Sequence, residues 1–376
     1  MQSGIGAVVL AACLWRNPMT KVSIIGAGNV GATVAQYLAS KNLCNVVMLD
    51  INEGAAKGKA LDLTQAIALT GGSAKITGTS DYKDTAGSQV IVITAGSPRK
   101  PGMSRDDLLK INASIVAGAA RESHRHSPNA IFVVVSNPLD IMAYLVWKET
   151  GVSTSRVIGM AGVLDSARFQ SFIAEELKVS ADDVRAMVLG GHGDLMVPLP
   201  RFSTVNGVPI TELISKKKID AMCKRTANGG AEIVNHLKTG SAWYAPGAAT
   251  AAMVEAIITG GRKLYPCSVH TGEKHGLPAV FTGLPVVIGK RGVERVIKLK
   301  LNKDEIAALQ ASAKSIEENV KRLNELQTEA AKLAAEAAKP AVETAKPAGD
   351  ATVTATTSAA PAADVSTKAT DTSAKS

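Results

Sequence analysis

The chain has 376 residues, of which 46% are hydrophobic and 20% charged, enough for a sizeable core and roughly two domains. A peptide toxin and a wholly disordered chain are excluded. Lysine and arginine exceed aspartate and glutamate by 42 to 33, giving a net charge of +9, which suits nucleic acid, an anionic membrane or small anionic ligands. Aromatic residues make up only 3% of the chain, too few for base-stacking platforms, so nucleic-acid binding is disfavoured.

The four cysteines show no C-x-x-C pair and no histidine spacing suited to zinc; they are Cys13, Cys44, Cys223 and Cys267. This pattern indicates neither a disulfide framework nor a structural metal site. We therefore expect a reducing, cytoplasmic setting and no bound metal.

The first eighteen residues contain an apolar stretch shorter than the roughly 20 residues that a membrane-spanning helix needs. The nearest charge, Arg16, follows this stretch, whereas a secretory signal places positive charge before it. We expect residues 1–18 to be an upstream extension with Met19 as the working start, and no membrane association. A targeting segment is the alternative.

From Lys21 onward, short β-branched runs alternate with helical stretches. The runs are Val22–Ile25, Val46–Leu49, Val90–Thr94 and Ile131–Val135, and the clearest helical stretches are Gly31–Ser40 and Leu108–Ser123. This alternation predicts right-handed βαβ units. Residues 19–162 are therefore expected to form a Rossmann domain, a doubly wound parallel sheet of the α/β class.

After about Gly162 the pattern becomes mixed. A helix is predicted over Ser166–Leu177, a strand over Ala186–Gly190 and further strands near Ala279–Val287. We expect residues 163–330 to form a second, α+β domain that binds the substrate.

Asn302 and Glu305 have the spacing of a helix capping box. Apolar residues follow at three- and four-residue steps: Ile306, Leu309, Ala313, Ile316, Val320 and Leu323. This predicts one long amphipathic helix docked on the second domain, with an intermolecular coiled coil as the alternative. Residues 331–376 are rich in Ala, Thr and Pro, and the tail is expected to be largely disordered.

A glycine-rich motif follows the first strand and opens a helix; it consists of Gly26, Ala27, Gly28, Asn29, Val30 and Gly31. Gly26 permits a tight turn, Gly28 removes a side chain that would block a pyrophosphate, and Gly31 lets the helix pack closely on the strand. Asp50 ends the next strand. A carboxylate there accepts hydrogen bonds from ribose hydroxyls and repels a 2′-phosphate, which predicts NAD rather than NADP as the cofactor.

A loop with two prolines and two glycines follows the third predicted strand and carries Arg99 and Arg105. Closure of this loop would bring both guanidinium groups over one small anion. A solvated basic loop is the alternative. Asn137 follows another strand, and Asp165 and Arg168 lie near a helix start.

His192 lies between glycines in the segment GGHGD. Such a histidine is expected to be exposed enough to reach a ligand. Each of these polar residues alone is more often structural than catalytic. Their joint occurrence behind a dinucleotide-binding loop predicts an active site that combines a base with anion-binding groups.

The motifs resemble those of the lactate/malate dehydrogenase family, specifically the malate dehydrogenases of its lactate-dehydrogenase-like branch. GAGNVG, RKPGMSRDDLL, VVSNPLD, GVLDSARF and GGHGD occur in the family order between about Met19 and Leu326. The resemblance implies reversible oxidation of (S)-malate to oxaloacetate with NAD, and a homo-oligomer, a tetramer or dimer.

The resemblance also assigns roles to the polar residues. His192 would be the proton acceptor and Asp165 its orienting partner. Arg168 would bind the substrate C1 carboxylate, Arg105 would polarise the reacting carbonyl, and Arg99 would bind the second carboxylate.

Four further residues enter by resemblance alone as contacts of NAD: Asn112, Val135, Ser136 and Asn137. Asn137 would also touch the substrate oxygen.

The nearest alternative is a lactate or other 2-hydroxy acid dehydrogenase with the same catalytic groups. Arg99 discriminates between them, because a buried arginine without a carboxylate partner disfavours a methyl-bearing ligand. A non-catalytic NAD-sensing module would keep the glycine motif and Asp50. It would have no use for His192, Asp165 and three arginines.

Overall fold

The computed structural model describes residues 19–97, 104–272 and 276–337. The predicted N-terminal extension and most of the tail lie outside these ranges. The strands are β1 (Lys21–Ile25), β2 (Asn45–Leu49), β3 (Ile76–Thr79), β4 (Val90–Ile93), β5 (Ile131–Val134), β6 (Val157–Gly159), β7 (Val184–Arg185), β8 (Val188–Gly190), β9 (Met196–Pro198), β10 (Thr204–Val205), β11 (Val208–Pro209), β12 (Lys263–His270), β13 (Phe281–Gly289) and β14 (Gly292–Val296). The α-helices are α1 (Asn29–Ser40), α2 (Glu53–Leu69), α3 (Arg105–His126), α4 (Leu139–Thr150), α5 (Gly162–Leu177), α6 (Ile210–Leu213), α7 (Lys216–Leu237), α8 (Tyr244–Thr259) and α9 (Lys303–Ala337).

The first six strands form a parallel array in the order β3-β2-β1-β4-β5-β6. Chain order reverses between β1 and β4, the point at which doubly wound sheets form a crevice at the carboxyl ends of their strands. Strand β4 is apolar on both faces: Val90 and Val92 lie on one face, Ile91 and Ile93 on the other, and all four are fully buried. This pattern is typical of a sheet covered by helices on both sides. The predicted doubly wound α/β fold is confirmed.

The sheet continues into the second half of the chain with antiparallel strands, in the order β6-β12-β13-β8-β9, and β14 pairs with β13. A separate three-stranded sheet contains β11, β10 and β7. This half has the predicted mixture of helices and antiparallel strands. The described residues through Ala331 form one compact unit, and a domain boundary near Gly162 stays a prediction.

Helix α3 begins at Arg105, three residues before the predicted start at Leu108. Ser104 Oγ accepts a hydrogen bond from the Asp107 backbone N–H at 3.0 Å, and the Asp107 carboxylate accepts one from the Ser104 N–H at 3.1 Å. This capping box satisfies two N–H groups of the first turn and so extends the helix toward the loop.

The predicted capping box of α9 is confirmed. Glu305 N–H donates to Asn302 Oδ1, and Asn302 N–H donates to Glu305 Oε2, both at 2.8 Å. Most of the predicted apolar face is buried, and Ile306, near the start of the helix, is 42% exposed.

Helix α9 docks on both halves of the chain. Ser312 Oγ accepts from the Gly191 N–H at 2.8 Å, and Arg322 pairs with Asp106 of α3 at 2.7 Å. The sequence predicted docking on the second domain alone. The helix also contacts the first half of the chain, because it is long enough to reach α3. Within the described residues, no helix is both long and apolar enough to cross a membrane.

Candidate active site

The glycine loop joins β1 to α1 at the carboxyl edge of the sheet. Gly26 has a positive φ of 106° and donates its N–H to the Leu49 carbonyl at 2.7 Å. A side chain at Gly26 would lie 2.7 Å from the Ala95 nitrogen, and one at Gly31 would overlap the Gly26 carbonyl oxygen. Both positions require glycine, as predicted for a tight turn with close helix packing.

Gly28 faces open space, since a Cβ built there meets no protein atom within 4 Å. It caps α1 without a side-chain hydrogen bond, and the first turn of this helix contains no acidic residue. The positive end of the helix is therefore open to an anion. The space beside Gly28 and this helix terminus fit the pyrophosphate of a dinucleotide.

Asp50 is anchored to the glycine loop. Its Oδ2 accepts from the Ala27 N–H at 2.8 Å and its Oδ1 from the Asn52 N–H at 3.0 Å. Lys59 Nζ donates to the Ala27 carbonyl at 2.7 Å on the same loop. Each carboxylate oxygen keeps a second lone pair, so the arrangement fits acceptance of the ribose hydroxyls by Asp50.

Asn112 joins the ends of β4 and β5. It is only 3% exposed. Its Oδ1 accepts from the Ser97 N–H at 2.7 Å, and its Nδ2 donates to the Asn137 carbonyl at 2.8 Å. Both ends of the Asn112 amide thus bind backbone groups, and the side chain holds the segments after β4 and β5 together. Its contact with the cofactor stays a prediction.

The stretch after β5 lies against the same edge of the sheet. Val135 and Ser136 are buried, and the Ser136 hydroxyl donates to the Ala95 carbonyl at 2.6 Å. Of these three residues Asn137 alone is exposed, and its contact with a ligand stays a prediction.

Asp165 connects His192 with Arg168. The Nδ1 of His192 lies 2.9 Å from Asp165 Oδ2, and an Arg168 terminal nitrogen lies 3.3 Å from Asp165 Oδ1. Asp165 and Arg168 are three residues apart on α5, so they share one face of the helix. His192 and Arg168 keep 13% of their side-chain surface exposed and Asp165 keeps 2%. The three groups, which were predicted from two motifs distant in the sequence, come together.

Since a carboxylate only accepts hydrogen bonds, Nδ1 carries the proton in this pair and Nε2 is left for a ligand. Burial lowers the pKa of His192. The charge of Asp165, its hydrogen bond to the imidazole and the charge of Asp140 outweigh burial, and the net pKa lies above the usual 6.5. The imidazolium therefore persists to higher pH than in a free histidine.

Arg168 is prepared to receive an anion. Its Nε is buried without a hydrogen-bond partner among the described residues. Burial lowers the pKa of its guanidinium from the usual value of an arginine, and the group remains cationic at neutral pH. A carboxylate would satisfy the unpaired Nε.

Sequence reasoning missed two residues at this site. A methyl group at Gly229 of α7 would lie 3.0 Å from Arg168 Cδ, so a glycine there gives the arginine room. Asp140 of α4 accepts from the His192 backbone N–H at 2.8 Å. In the sequence, Gly229 is recognisable only as a residue of low helix propensity, and Asp140 only as an acidic residue at a helix start.

The loop arginines are only partly placed. Arg99 lies outside the described residues. The backbone of Arg105 opens α3, and its side chain is not described. Their convergence on one ligand stays a prediction. In the described ranges, no group of three or more His, Cys, Asp or Glu residues is arranged to hold a metal ion.

Replacing Gly28 by Ala is expected to weaken NADH binding at least about tenfold, because the new methyl would enter the space where we expect the pyrophosphate. The melting temperature should stay nearly unchanged, since no protein atom lies within 4 Å of that methyl. Fluorescence titration with NADH and a thermal melt measure the two effects. Gly58→Ala, at another uncrowded glycine, is the control and should leave affinity unchanged. Unaltered affinity in Gly28→Ala would remove Gly28 from the cofactor site.

Comparisons with known proteins agree with this architecture. Residues 20–159 match the family model described as lactate/malate dehydrogenase, NAD binding domain. Residues 162–327 match the model described as lactate/malate dehydrogenase, alpha/beta C-terminal domain. A malate dehydrogenase of Trichormus variabilis is 54% identical over 309 residues, which cover 82% of this chain and 95% of that protein.

Solved structures of both enzyme types resemble the chain. The malate dehydrogenase of Picrophilus torridus, in its apo form, has a TM-score of 0.80 at 46% identity and covers 83% of this chain and 99% of its own. A lactate dehydrogenase of Cryptosporidium parvum, solved with lactic acid and NAD, has a TM-score of 0.79 at 38% identity. The match covers 82% of this chain and 99% of that chain. The fold alone does not separate the two substrates, since both scores are nearly equal.

Proposed function

The chain belongs to the lactate/malate dehydrogenase family, and we infer that it is an NAD-dependent malate dehydrogenase that interconverts (S)-malate and oxaloacetate. The observation that carries this function is the joined set of His192, Asp165 and Arg168, in a chain whose glycine loop fits a dinucleotide. The malate dehydrogenases among its relatives, about half identical in sequence, support the choice of substrate.

Bound NAD supplies the redox step, since the nicotinamide accepts or returns the hydride. The protein's task is to move a proton and to stabilise charge. During malate oxidation, neutral His192 accepts the hydroxyl proton at Nε2, and Asp165 stabilises the imidazolium that results. During oxaloacetate reduction, protonated His192 returns that proton to the substrate oxygen.

The remaining roles concern substrate charge. Arg168 binds the C1 carboxylate through its buried guanidinium. Arg105 polarises the reacting carbonyl, where negative charge develops as the hydride arrives. Arg99 pairs with the second carboxylate when the loop between β4 and α3 closes and excludes water. Asn137 contacts both the cofactor and the substrate oxygen.

A spectrophotometric assay in the oxidative direction tests this function. NADH formation is followed with NAD and (S)-malate, (S)-lactate or other 2-hydroxy acids in turn. (S)-malate should be the best substrate. A preference for (S)-lactate would instead support the lactate alternative, and no NADH formation with any 2-hydroxy acid would reject the family's chemistry for this chain.

The wild-type enzyme is expected to prefer NADH to NADPH by at least about a hundredfold in kcat/KM, because the fixed Asp50 carboxylate repels a 2′-phosphate. Asp50→Ser should narrow this preference by removing the charge. Asp62→Ser removes an exposed carboxylate from α2 and serves as the control. Equal efficiency of both cofactors in the wild type would contradict the role of Asp50.

We also propose that the enzyme forms a homo-oligomer. Apolar side chains that are exposed in the single chain would form the interface. Leu61 and Leu69 on α2 are 61% and 91% exposed, and Tyr244 at the start of α8 is 68% exposed. Such surfaces favour association. Light scattering on the purified chain should give the mass of a dimer or tetramer; a monomer at assay concentration would contradict this.

A cytoplasmic location is part of the same proposal. It is supported by the free cysteines, since Cys44 and Cys267 are buried and unpaired, as expected in a reducing compartment. Fractionation of cells that express the full chain tests it, and recovery with the membrane fraction would contradict it.

A further inference from the structure

Asp140, the second residue of α4, holds the backbone of the loop that carries His192. Its Oδ2 accepts the His192 backbone N–H at 2.8 Å, across 52 positions of sequence. An acidic residue in the first turn of a helix ordinarily interacts favourably with the positive end of that helix. Asp140 in addition accepts the hydrogen bond from His192, a residue of the candidate active site.

The carboxylate of Asp140 is poorly suited to a purely structural role. The residue is 5% exposed, and its Oδ1 is buried without a hydrogen-bond partner among the described residues. Burial raises its pKa, while the nearby Ser268 hydroxyl favours the ionised form, although its geometry falls short of a hydrogen bond. A buried carboxylate with an unused oxygen destabilises a fold. Groups of this kind concentrate where a reaction uses their charge.

The charged groups around His192 indicate what the carboxylate of Asp140 adds to that of Asp165. Asp165 carries one negative charge but faces two cationic groups, Arg168 through Oδ1 and the imidazole through Oδ2. In the described part of the chain, the charged groups that act on His192 are Asp165, Arg168 and Asp140. Asp165 is shared between His192 and Arg168, so when His192 takes up a proton the negative charge of Asp140 adds to the stabilisation of the imidazolium.

We propose that Asp140 is a positioning residue for proton transfer, whose carboxylate fixes the backbone of the His192 loop and balances the charge of the protonated imidazole. This rests on the proposed function, since it assumes that His192 exchanges its proton with the substrate. Asp140 itself acts through His192 and does not touch the reacting atoms.

The test is Asp140→Asn, with kcat for oxaloacetate reduction measured against pH. The amide oxygen can still accept the His192 N–H, but the charge is gone. Reduction needs protonated His192, so kcat falls as pH rises through the pKa of His192. Loss of a neighbouring negative charge lowers that pKa and should move the falling limb to lower pH by roughly one unit. The KM for NADH should not change.

Ser123→Ala is the matched control, because the Ser123 hydroxyl on α3 is also buried without a hydrogen-bond partner among the described residues. Its profile should match the wild type. If the wild type reduces oxaloacetate and Asp140→Asn shows the same falling limb, the inference is overturned and the function stands. A wild type inactive toward oxaloacetate would reject the proposed function itself.

If Asp140→Asn is not recovered as folded protein, Ser268→Ala tests the role of the Asp140 charge instead. Removing this hydroxyl makes the ionised carboxylate less favourable. The falling limb should move in the same direction by a smaller amount, and a limb that coincides with the wild type would overturn the inference.

Discussion

His192→Asn is expected to lower turnover at least about a hundredfold, the usual scale for loss of a general acid–base group. Asparagine can still approach Asp165, but it cannot exchange a proton near neutral pH. NADH binding should stay nearly intact, because the glycine loop and Asp50 lie on other elements of the sheet. Steady-state kinetics and NADH titration measure the two effects.

His270→Asn is the control for this change. His270 is a second partly buried histidine, and its Nδ1 accepts the Gly272 N–H at 3.1 Å, a bond that an asparagine oxygen can keep. Its turnover should stay near that of the wild type. Near-normal turnover in His192→Asn would remove His192 from the mechanism.

Arg99→Gln is expected to change the choice between oxaloacetate and pyruvate. Oxaloacetate would bury its second carboxylate without a charged partner, while pyruvate would no longer face an unpaired arginine. If each effect contributes about 2 to 3 kcal/mol, the ratio of the two kcat/KM values shifts by roughly three to four orders of magnitude. Most of the loss should fall on oxaloacetate.

Arg168→Gln provides the comparison, because the C1 carboxylate is common to both substrates. Both kcat/KM values should fall together, and their ratio should stay nearly constant. An equal loss of both substrates in Arg99→Gln would mean that Arg99 contributes only general charge to the loop. Specificity for the dicarboxylate would then need another source.

Local sequence patterns predicted most of the nucleotide-binding half. The glycine motif works through backbone constraints over six residues, so its glycines can be identified without tertiary information. Asp165 and Arg168 were also readable, because a spacing of three residues places them on one helical face. Short strands were harder: β3 contains Gly78, and β6 has only three residues, too few for a clear pattern.

Contacts between distant segments were not readable. Asp140 follows Asn137 and Pro138 and looks like an ordinary acidic helix start, yet its partner is His192. Gly229 lowers helix propensity in the middle of α7, and only the position of Arg168 explains it. His192 was expected to be exposed enough to reach a ligand, but the sequence did not predict how much of it is covered: its pair with Asp165 leaves 13% of the side chain accessible.

The most direct measurement is kcat/KM of the wild-type enzyme for oxaloacetate and for pyruvate, with NADH as the reductant under identical conditions. Oxaloacetate should be preferred by at least about a thousandfold, because in the proposed site each of its carboxylates has an arginine partner, whereas pyruvate would leave one arginine unpaired. A value for pyruvate equal to or above that for oxaloacetate would contradict the assignment to malate and oxaloacetate.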